Sequence, residues 1–96
     1  MKGREDFDMV EKTIKIKNKL GLHARPSALF VQTASKFKSV LKVFQGDQEA
    51  DGKSIMGLMM LAAGLGCELR LVAAGPDENE LLASIEQLVE RKFDEE

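Results

Sequence analysis

Apolar and polar residues alternate in several short segments, which is the pattern of strands that bury one face. The first segment begins at Val10, and its apolar positions Ile14 and Ile16 alternate with charged residues and a threonine. Residues 40–44, 48–50 and 67–73 predict three more strands. Gly46-Asp47 is typical of a hairpin turn, so we expect the second and third strands to be adjacent.

A spacing of three to four residues between apolar positions predicts three helices. The first has Pro26 in its first turn and buries Phe30, Val31, Ala34 and Phe37. The second is short, begins after Ser54 as N-cap and is expected to end at Gly64 and Gly66. We expect it to turn Leu58, Leu61, Leu65 and Met60 inward.

The last helix carries the clearest apolar stripe, formed by Leu81, Leu82, Ile85, Leu88 and Val89. Asp77 followed by Glu80 resembles a capping box at its start. The resulting order is β-α-β-β-α-β-α. Because each strand has one polar face, the pattern predicts an α+β fold with a mainly antiparallel sheet and helices on one side. We expect a flexible leader over residues 1–9 and a single domain over residues 10–96.

Composition narrows the class of protein. The 96 residues are 44% hydrophobic and 31% charged, which is typical of one folded domain, and the net charge of −2 disfavours a nucleic-acid binder. One cysteine and one histidine predict neither a disulfide nor a metal site. The most apolar stretch, residues 55–67, is too short to span a bilayer, so we expect a cytoplasmic protein without membrane insertion.

The single histidine, His23, directly precedes the first helix, where free N–H groups and the helix dipole favour anions. Arg25 adds a guanidinium suited to phosphate oxygens. Both the helix end and Arg25 disfavour an imidazolium, which leaves the neutral, nucleophilic ring. The chain has no nucleotide-binding glycine loop, so the pattern favours holding a phosphoryl group. The alternative is that His23 only caps the helix and Arg25 is a solvated charge.

Two motifs resemble those of a known family. Gly-Leu-His-Ala-Arg-Pro, residues 21–26, is similar to the active-site signature of HPr, the histidine-containing phosphocarrier of the sugar phosphotransferase system. Lys-Ser-Ile-Met-Gly-Leu-Met, residues 53–59, resembles the regulatory serine segment of that family. The order and spacing of the motifs also fit, and the resemblance extends from about Val10 onwards.

The resemblance implies specific roles. Enzyme I would phosphorylate His23 on Nδ1, with phosphoenolpyruvate as ultimate donor, and the group would pass to Enzyme IIA. Arg25 and the backbone amides of Ala24 and Arg25 would hold the phosphoryl oxygens. HPr kinase/phosphorylase would phosphorylate Ser54. The implied fold is an open-faced β-sandwich with sheet order 1-4-2-3 and three helices on one face.

An exposed apolar surface is expected to receive the partners. We assign to it Leu22, Ala24, Ala28, Ile55, Met56 and Met59. Many relatives carry a basic residue where this chain has Gln32, and often where it has Ser35, which weakens the expected steering by acidic partners. Lys36 and Lys53 are candidates to compensate.

Two other functional classes remain open. One is a regulatory adaptor of carbon metabolism, or a member of a nitrogen-related phosphorelay, switched at Ser54 and read by a transcriptional regulator. The other is a small-ligand-binding module, which would need an apolar pocket. In the favoured interpretation the protein is a monomeric carrier without cofactor or metal, and it is not a self-standing enzyme.

Overall fold

A computed structural model describes residues 9–95, whose four strands form one antiparallel sheet in the order β1-β4-β2-β3. The elements along the chain are β1 Met9–Lys15, α1 Ala24–Ala34, β2 Val40–Gln45, β3 Gln48–Asp51, α2 Ile55–Met60, β4 Glu68–Ala74 and α3 Glu78–Glu90. The predicted fold class, element order and strand order are therefore confirmed. β1 and β3 are the edge strands of the sheet.

The core lies between one face of the sheet and the helices. β4 alternates buried Leu69, Leu71 and Ala73 with more exposed residues, and in its register Leu69 lies opposite Ile14 of β1. The predicted stripe of α3 is buried, as are Phe30 and Ala34 of α1. Val31 and Phe37, which were expected to be buried by this helix, pack against the core only partly buried, and Phe37 lies beyond the end of α1 at Ala34.

Helix α2 is shorter than its apolar pattern predicts. It ends at Met60, and Ala62 has a left-handed φ of 54°, so the chain turns before the glycines expected to stop it. Leu58 and Leu61 are buried, but Met60 and Leu65 are 75% and 62% exposed. The assignment of Met60 and Leu65 to the core is wrong. Met60 lies nearly opposite the buried Leu58 around α2, and Leu65 lies beyond the early turn at Ala62.

The capping box expected at the start of α3 is also wrong. Asp77 is the N-cap, but its carboxylate makes no capping hydrogen bond and instead accepts from the backbone N–H groups of Lys38 and Ser39 and from the Ser39 hydroxyl. It therefore ties the β4–α3 turn to the segment that leads into β2. The Ser39 hydroxyl, followed by the Lys38 N–H, lowers the pKa of Asp77 to about 2.

After α3 the chain forms a 3₁₀ turn, Lys92–Asp94, which the periodicity did not predict. All three residues have left-handed φ values of 57°, 55° and 61°, and Phe93 is fully buried. This turn brings Glu95 back towards the start of α1. The leader predicted over residues 1–9 lies, apart from Met9, outside the described residues. Across residues 9–95, no helix is long and apolar enough to cross a membrane.

We expect Asp77→Asn to lower the free energy of unfolding at pH 7, because the amide cannot replace the ionised acceptor of three hydrogen bonds. The pKa of Asp77 is lowered from 3.8 to about 2, so its carboxylate stabilises the fold above about pH 4. That contribution is lost as the pH falls towards 2.

Urea unfolding at pH 7, 4 and 2.5 tests this. The wild type should lose more stability over that range than Asp77→Asn, whereas Asp47→Asn, in the exposed hairpin turn, should follow the wild type. Parallel pH curves for the wild type and Asp77→Asn would contradict the assignment.

Candidate functional site

His23 is the N-cap residue of α1 and has extended backbone angles, φ −79° and ψ −169°. Its carbonyl accepts the first helical hydrogen bond from the Ser27 N–H at 3.0 Å. Its imidazole makes no capping hydrogen bond, and the side chain is 38% exposed. The His23 ring therefore takes no part in the cap, whereas Arg25 is the largely exposed charge that the alternative expected.

The loop before His23 depends on a glycine. Gly21 has a left-handed φ of 70°, and a Cβ at this position would lie 2.2 Å from the Ala63 carbonyl oxygen. The next residue, Leu22, donates its N–H to the same oxygen at 2.9 Å. The loop is thus fastened to the segment after α2, and this contact sets where α1 begins.

Leu22 is a correction to the predicted docking surface. Its side chain is 3% exposed and belongs to the core, and its carbonyl accepts a hydrogen bond from the buried Ser27 hydroxyl at 3.1 Å. The residue therefore anchors the start of α1 and has no surface to offer a partner.

Two backbone donors remain at the start of α1. The first N–H groups of a helix have no intrahelical acceptor, and here they belong to Ala24 and Arg25, because Pro26 has no N–H and Ser27 bonds to His23. Ala24 and Arg25 are both exposed. These are the donors proposed from the sequence, and together with the helix dipole they favour an anion beside His23.

A carboxylate that the sequence did not point to completes the site. Glu95 Oε2 lies 3.2 Å from His23 Nε2 and 3.7 Å from Arg25 Nη1. Asn18, which is fully buried, donates from Nδ2 to Glu95 Oε1 at 3.1 Å and to the Gly21 carbonyl at 2.8 Å. The surroundings of the ring are thus less electropositive than expected, because an anion offsets Arg25 and the helix end.

Glu95 was missed because it reaches His23 across the fold, and Asn18 because it acts only through Glu95 and the Gly21 carbonyl. Glu95 is 72 residues away from His23 along the chain, and no periodicity reports such a contact. The one available signal was Phe93, an isolated apolar residue after α3 in an otherwise charged segment. Its burial shows that the segment packs back onto the domain.

Ser54 is the N-cap of α2, as predicted, and its Oγ accepts from the Gly57 N–H at 3.0 Å. The residue is half-buried. The neighbouring Lys53 donates from Nζ to the Phe37 carbonyl at 2.8 Å, beyond the end of α1. Lys53 is one of the two basic residues expected to compensate for the missing charges at Gln32 and Ser35, and its ammonium group is engaged in this contact. Gln32 and Ser35 are both exposed.

The rest of the predicted docking surface is accessible. Ile55, Met56 and Met59 are 41%, 70% and 38% exposed, and α2 packs beside α1. On α1, Ala24 is exposed and Ala28 half-buried. The exposed residues Met60 and Leu65 enlarge the apolar surface beyond the prediction.

A surface depression of about 540 Å³ lies next to this site and is lined by Lys19, Leu20, Asp94 and Glu95. Three of these four residues are charged, and the lining combines polar and apolar surface. The depression therefore lies directly beside the Glu95 carboxylate, which contacts His23.

Comparison with known proteins gives one family. Residues 10–91 match the family model PTS-HPr, described as PTS HPr component phosphorylation site. The phosphocarrier protein HPr of Treponema pallidum is 50% identical over 88 residues, which cover 92% of this chain and 100% of the relative. The HPr-like protein Crh of Halalkalibacterium halodurans is 43% identical over 84 residues, covering 88% of this chain and 100% of the relative.

A solved structure agrees with these matches. The crystal structure of HPr-C-His from Thermoanaerobacter tengcongensis has a TM-score of 0.87 and 52% identity to this chain. The match covers 91% of this chain and 98% of that one.

We expect Gly21→Ala to destabilise the domain and displace His23. The left-handed conformation alone costs an alanine about 1–3 kcal/mol, and the Cβ also meets the Ala63 carbonyl, so the Leu22 hydrogen bond must lengthen. Gly64→Ala is the matched control, since its Cβ would meet nothing within 4 Å. Thermal unfolding and the amide chemical shifts of residues 22–25 measure both effects. Equal melting temperatures for the two variants would show that the close approach does not set the loop.

Proposed function

This chain belongs to the HPr family of the phosphotransferase system, and we propose that it works as a phosphocarrier through a phosphohistidine at His23. The observation that carries the assignment to this residue is the placement of its ring. The imidazole is partly exposed at the start of α1, and its Nε2 contacts the Glu95 carboxylate. Among residues 9–95, Nδ1 has no hydrogen-bond partner. Nδ1 is therefore the nitrogen with a lone pair available for phosphorus.

The surroundings suit a phosphoryl group on that nitrogen. The Ala24 and Arg25 N–H groups and the positive end of α1 supply donors for its oxygens. The Arg25 side chain is 62% exposed and contacts Glu95 only at 3.7 Å, so it is free to turn towards the added charge. The chain thus holds the group, and in this proposal its partners supply the rest of the transfer chemistry.

The donor is Enzyme I, charged from phosphoenolpyruvate, and the acceptor is Enzyme IIA. Both contact the exposed side chains of Ile55, Met56 and Met59. Methionine is flexible and polarisable, which suits one surface that accepts different partners. Electrostatic attraction between α1 and acidic partner surfaces is weaker than it would be with a basic helix face, because Gln32 and Ser35 are uncharged. The carrier acts as a monomer in the cytoplasm.

Ser54 supports a second, regulatory function. Its hydroxyl lies at the start of α2 and directly precedes the exposed Ile55 and Met56. Phosphorylation by HPr kinase/phosphorylase adds about two negative charges there, next to the apolar docking surface, and disfavours partners that bind by apolar contact. A transcriptional regulator with a basic surface would instead gain an ion pair. The match to the HPr-like protein Crh supports this second role beside the carrier role.

His23→Ala should abolish labelling by Enzyme I and phosphoenolpyruvate, because it removes the only imidazole in the chain. Mass spectrometry of the wild type should show one added phosphate that is labile in acid and stable in base. The variant should stay folded, since the ring lies outside the core and makes no capping bond. Circular dichroism checks the fold. Wild-type protein that takes no phosphate on His23 from a competent Enzyme I would contradict the carrier assignment.

Ser54→Ala should abolish labelling by HPr kinase/phosphorylase and ATP, whereas Ser35→Ala should be labelled like the wild type. Ser35 is a suitable control because it is an exposed serine at the end of α1. Loss of the Ser54 cap costs about 1 kcal/mol, which leaves the domain folded at assay temperature. Equal labelling of Ser54→Ala and the wild type would rule out the switch.

A further inference from the structure

The contact between Glu95 and His23 is held by more than charge. Phe93 is fully buried and fixes the 3₁₀ turn that leads to Glu95, while the buried Asn18 amide donates to the Glu95 carboxylate at 3.1 Å. Glu95 is accordingly only 19% exposed in its side chain. An ion pair between two freely moving surface residues would have none of these anchors.

The placement of Glu95 requires an unfavourable backbone conformation in the preceding turn. Lys92, Phe93 and Asp94 are consecutive residues with left-handed φ, a conformation that is unfavourable for residues with a side chain. Strained conformations of this kind persist where the surrounding structure holds them, and they cluster at functional sites. The strained turn delivers a carboxylate to one ring nitrogen of the histidine and leaves the other without a partner in the described part of the chain.

We propose that Glu95 is a positioning residue that keeps a proton on His23 Nε2 while the phosphoryl group is carried on Nδ1. The inference rests on the carrier function proposed above and assigns a role to a residue of the same site. Arg25 and the positive end of α1 disfavour a proton on Nε2, whereas the Glu95 carboxylate is in direct contact with Nε2 and favours it. Lys19 and Asp94 lie beside Glu95 and line the same depression.

The proton on Nε2 matters because the imidazole is the leaving group when the phosphoryl group is transferred to the acceptor. On charging, the Nδ1 lone pair forms the N–P bond, the bond from phosphorus to the donor breaks, and its electron pair leaves with the donor. The Nε2 proton stays, so the ring is an imidazolium that the carboxylate neutralises. On discharge, the acceptor attacks phosphorus and the N–P electron pair returns to Nδ1. The leaving group is then a neutral imidazole, whereas without the Nε2 proton it would be an imidazolate.

Glu95→Gln tests the proposal because the amide keeps the size and the acceptor oxygen but removes the charge. Asp94→Asn is the matched control, an adjacent acid that pairs with Arg91 at 3.1 Å. Each protein is charged with Enzyme I and phosphoenolpyruvate, and the ¹⁵N shift of His23 Nε2 is followed from pH 6 to 9. At pH 8 the ratio of protonated to unprotonated Nε2 should be about two- to five-fold lower in Glu95→Gln than in the wild type.

The rate of spontaneous hydrolysis gives a second measurement. Phosphorylated Glu95→Gln should lose phosphate more slowly than the wild type at pH 8 and at the same rate at pH 6, where the ring is protonated in both. Asp94→Asn should match the wild type at both values. Identical Nε2 shifts and hydrolysis profiles for Glu95→Gln and the wild type would overturn the proposal while leaving the carrier function intact. Failure of the wild type to be charged on His23 would instead overturn the carrier function.

Discussion

The position of His23 depends on one close backbone approach. Gly21 passes so near the Ala63 carbonyl that no side chain fits, and Leu22 bonds to the same oxygen. With Leu22 buried, the next residue must leave the core, and α1 starts there. His23 is therefore exposed at a helix start because of packing between the loop and the segment after α2, and its own side chain contributes nothing to the cap.

The electrostatics of the site are a balance. The start of α1 and Arg25 favour the anion that His23 receives, while Glu95 favours positive charge on the ring. Glu95 contacts Nε2, and among residues 9–95 Nδ1 has no hydrogen-bond partner. A carrier must accept a phosphoryl group and also release it, and a site that favoured only the phosphate would hold it too firmly. In this arrangement, the helix start and Arg25 attract the phosphate, while Glu95 contacts the ring nitrogen whose proton would favour its release.

Local patterns were sufficient for much of this fold. The stripe of α3, the alternation in β4 and the Ser54 cap each arise from neighbouring residues, and each was predicted from the sequence. The end of α2 was not, because an apolar run says nothing about a left-handed turn at Ala62 that stops the helix early. Asp77 and Glu95 show the same limit for side chains. Asp77 looks like a cap residue but bonds to Lys38 and Ser39, and Glu95 looks like a solvated charge but contacts the histidine.

The resemblance supplied what periodicity could not. The predicted strand order came from the resemblance, since alternation alone fits several antiparallel sheets. The resemblance also strengthened the proposal of His23 as the carrier residue. Glu95 lies beyond those motifs and beyond the segment that matches the family model, which ends at residue 91. The contact of Glu95 with His23 exists only in the folded chain.

The two outer strands of the sheet have a consequence for how the protein behaves at high concentration. Unpaired strand edges invite a second chain to extend the sheet, which leads to aggregation. β3 is only four residues long, and its Glu49 pairs with Lys42 of β2 at 2.9 Å, while β1 exposes Glu11, Lys12 and Lys15. Short length and charge on these borders make strand addition unfavourable, so the protein can remain dispersed at high concentration even though α2 exposes an apolar surface.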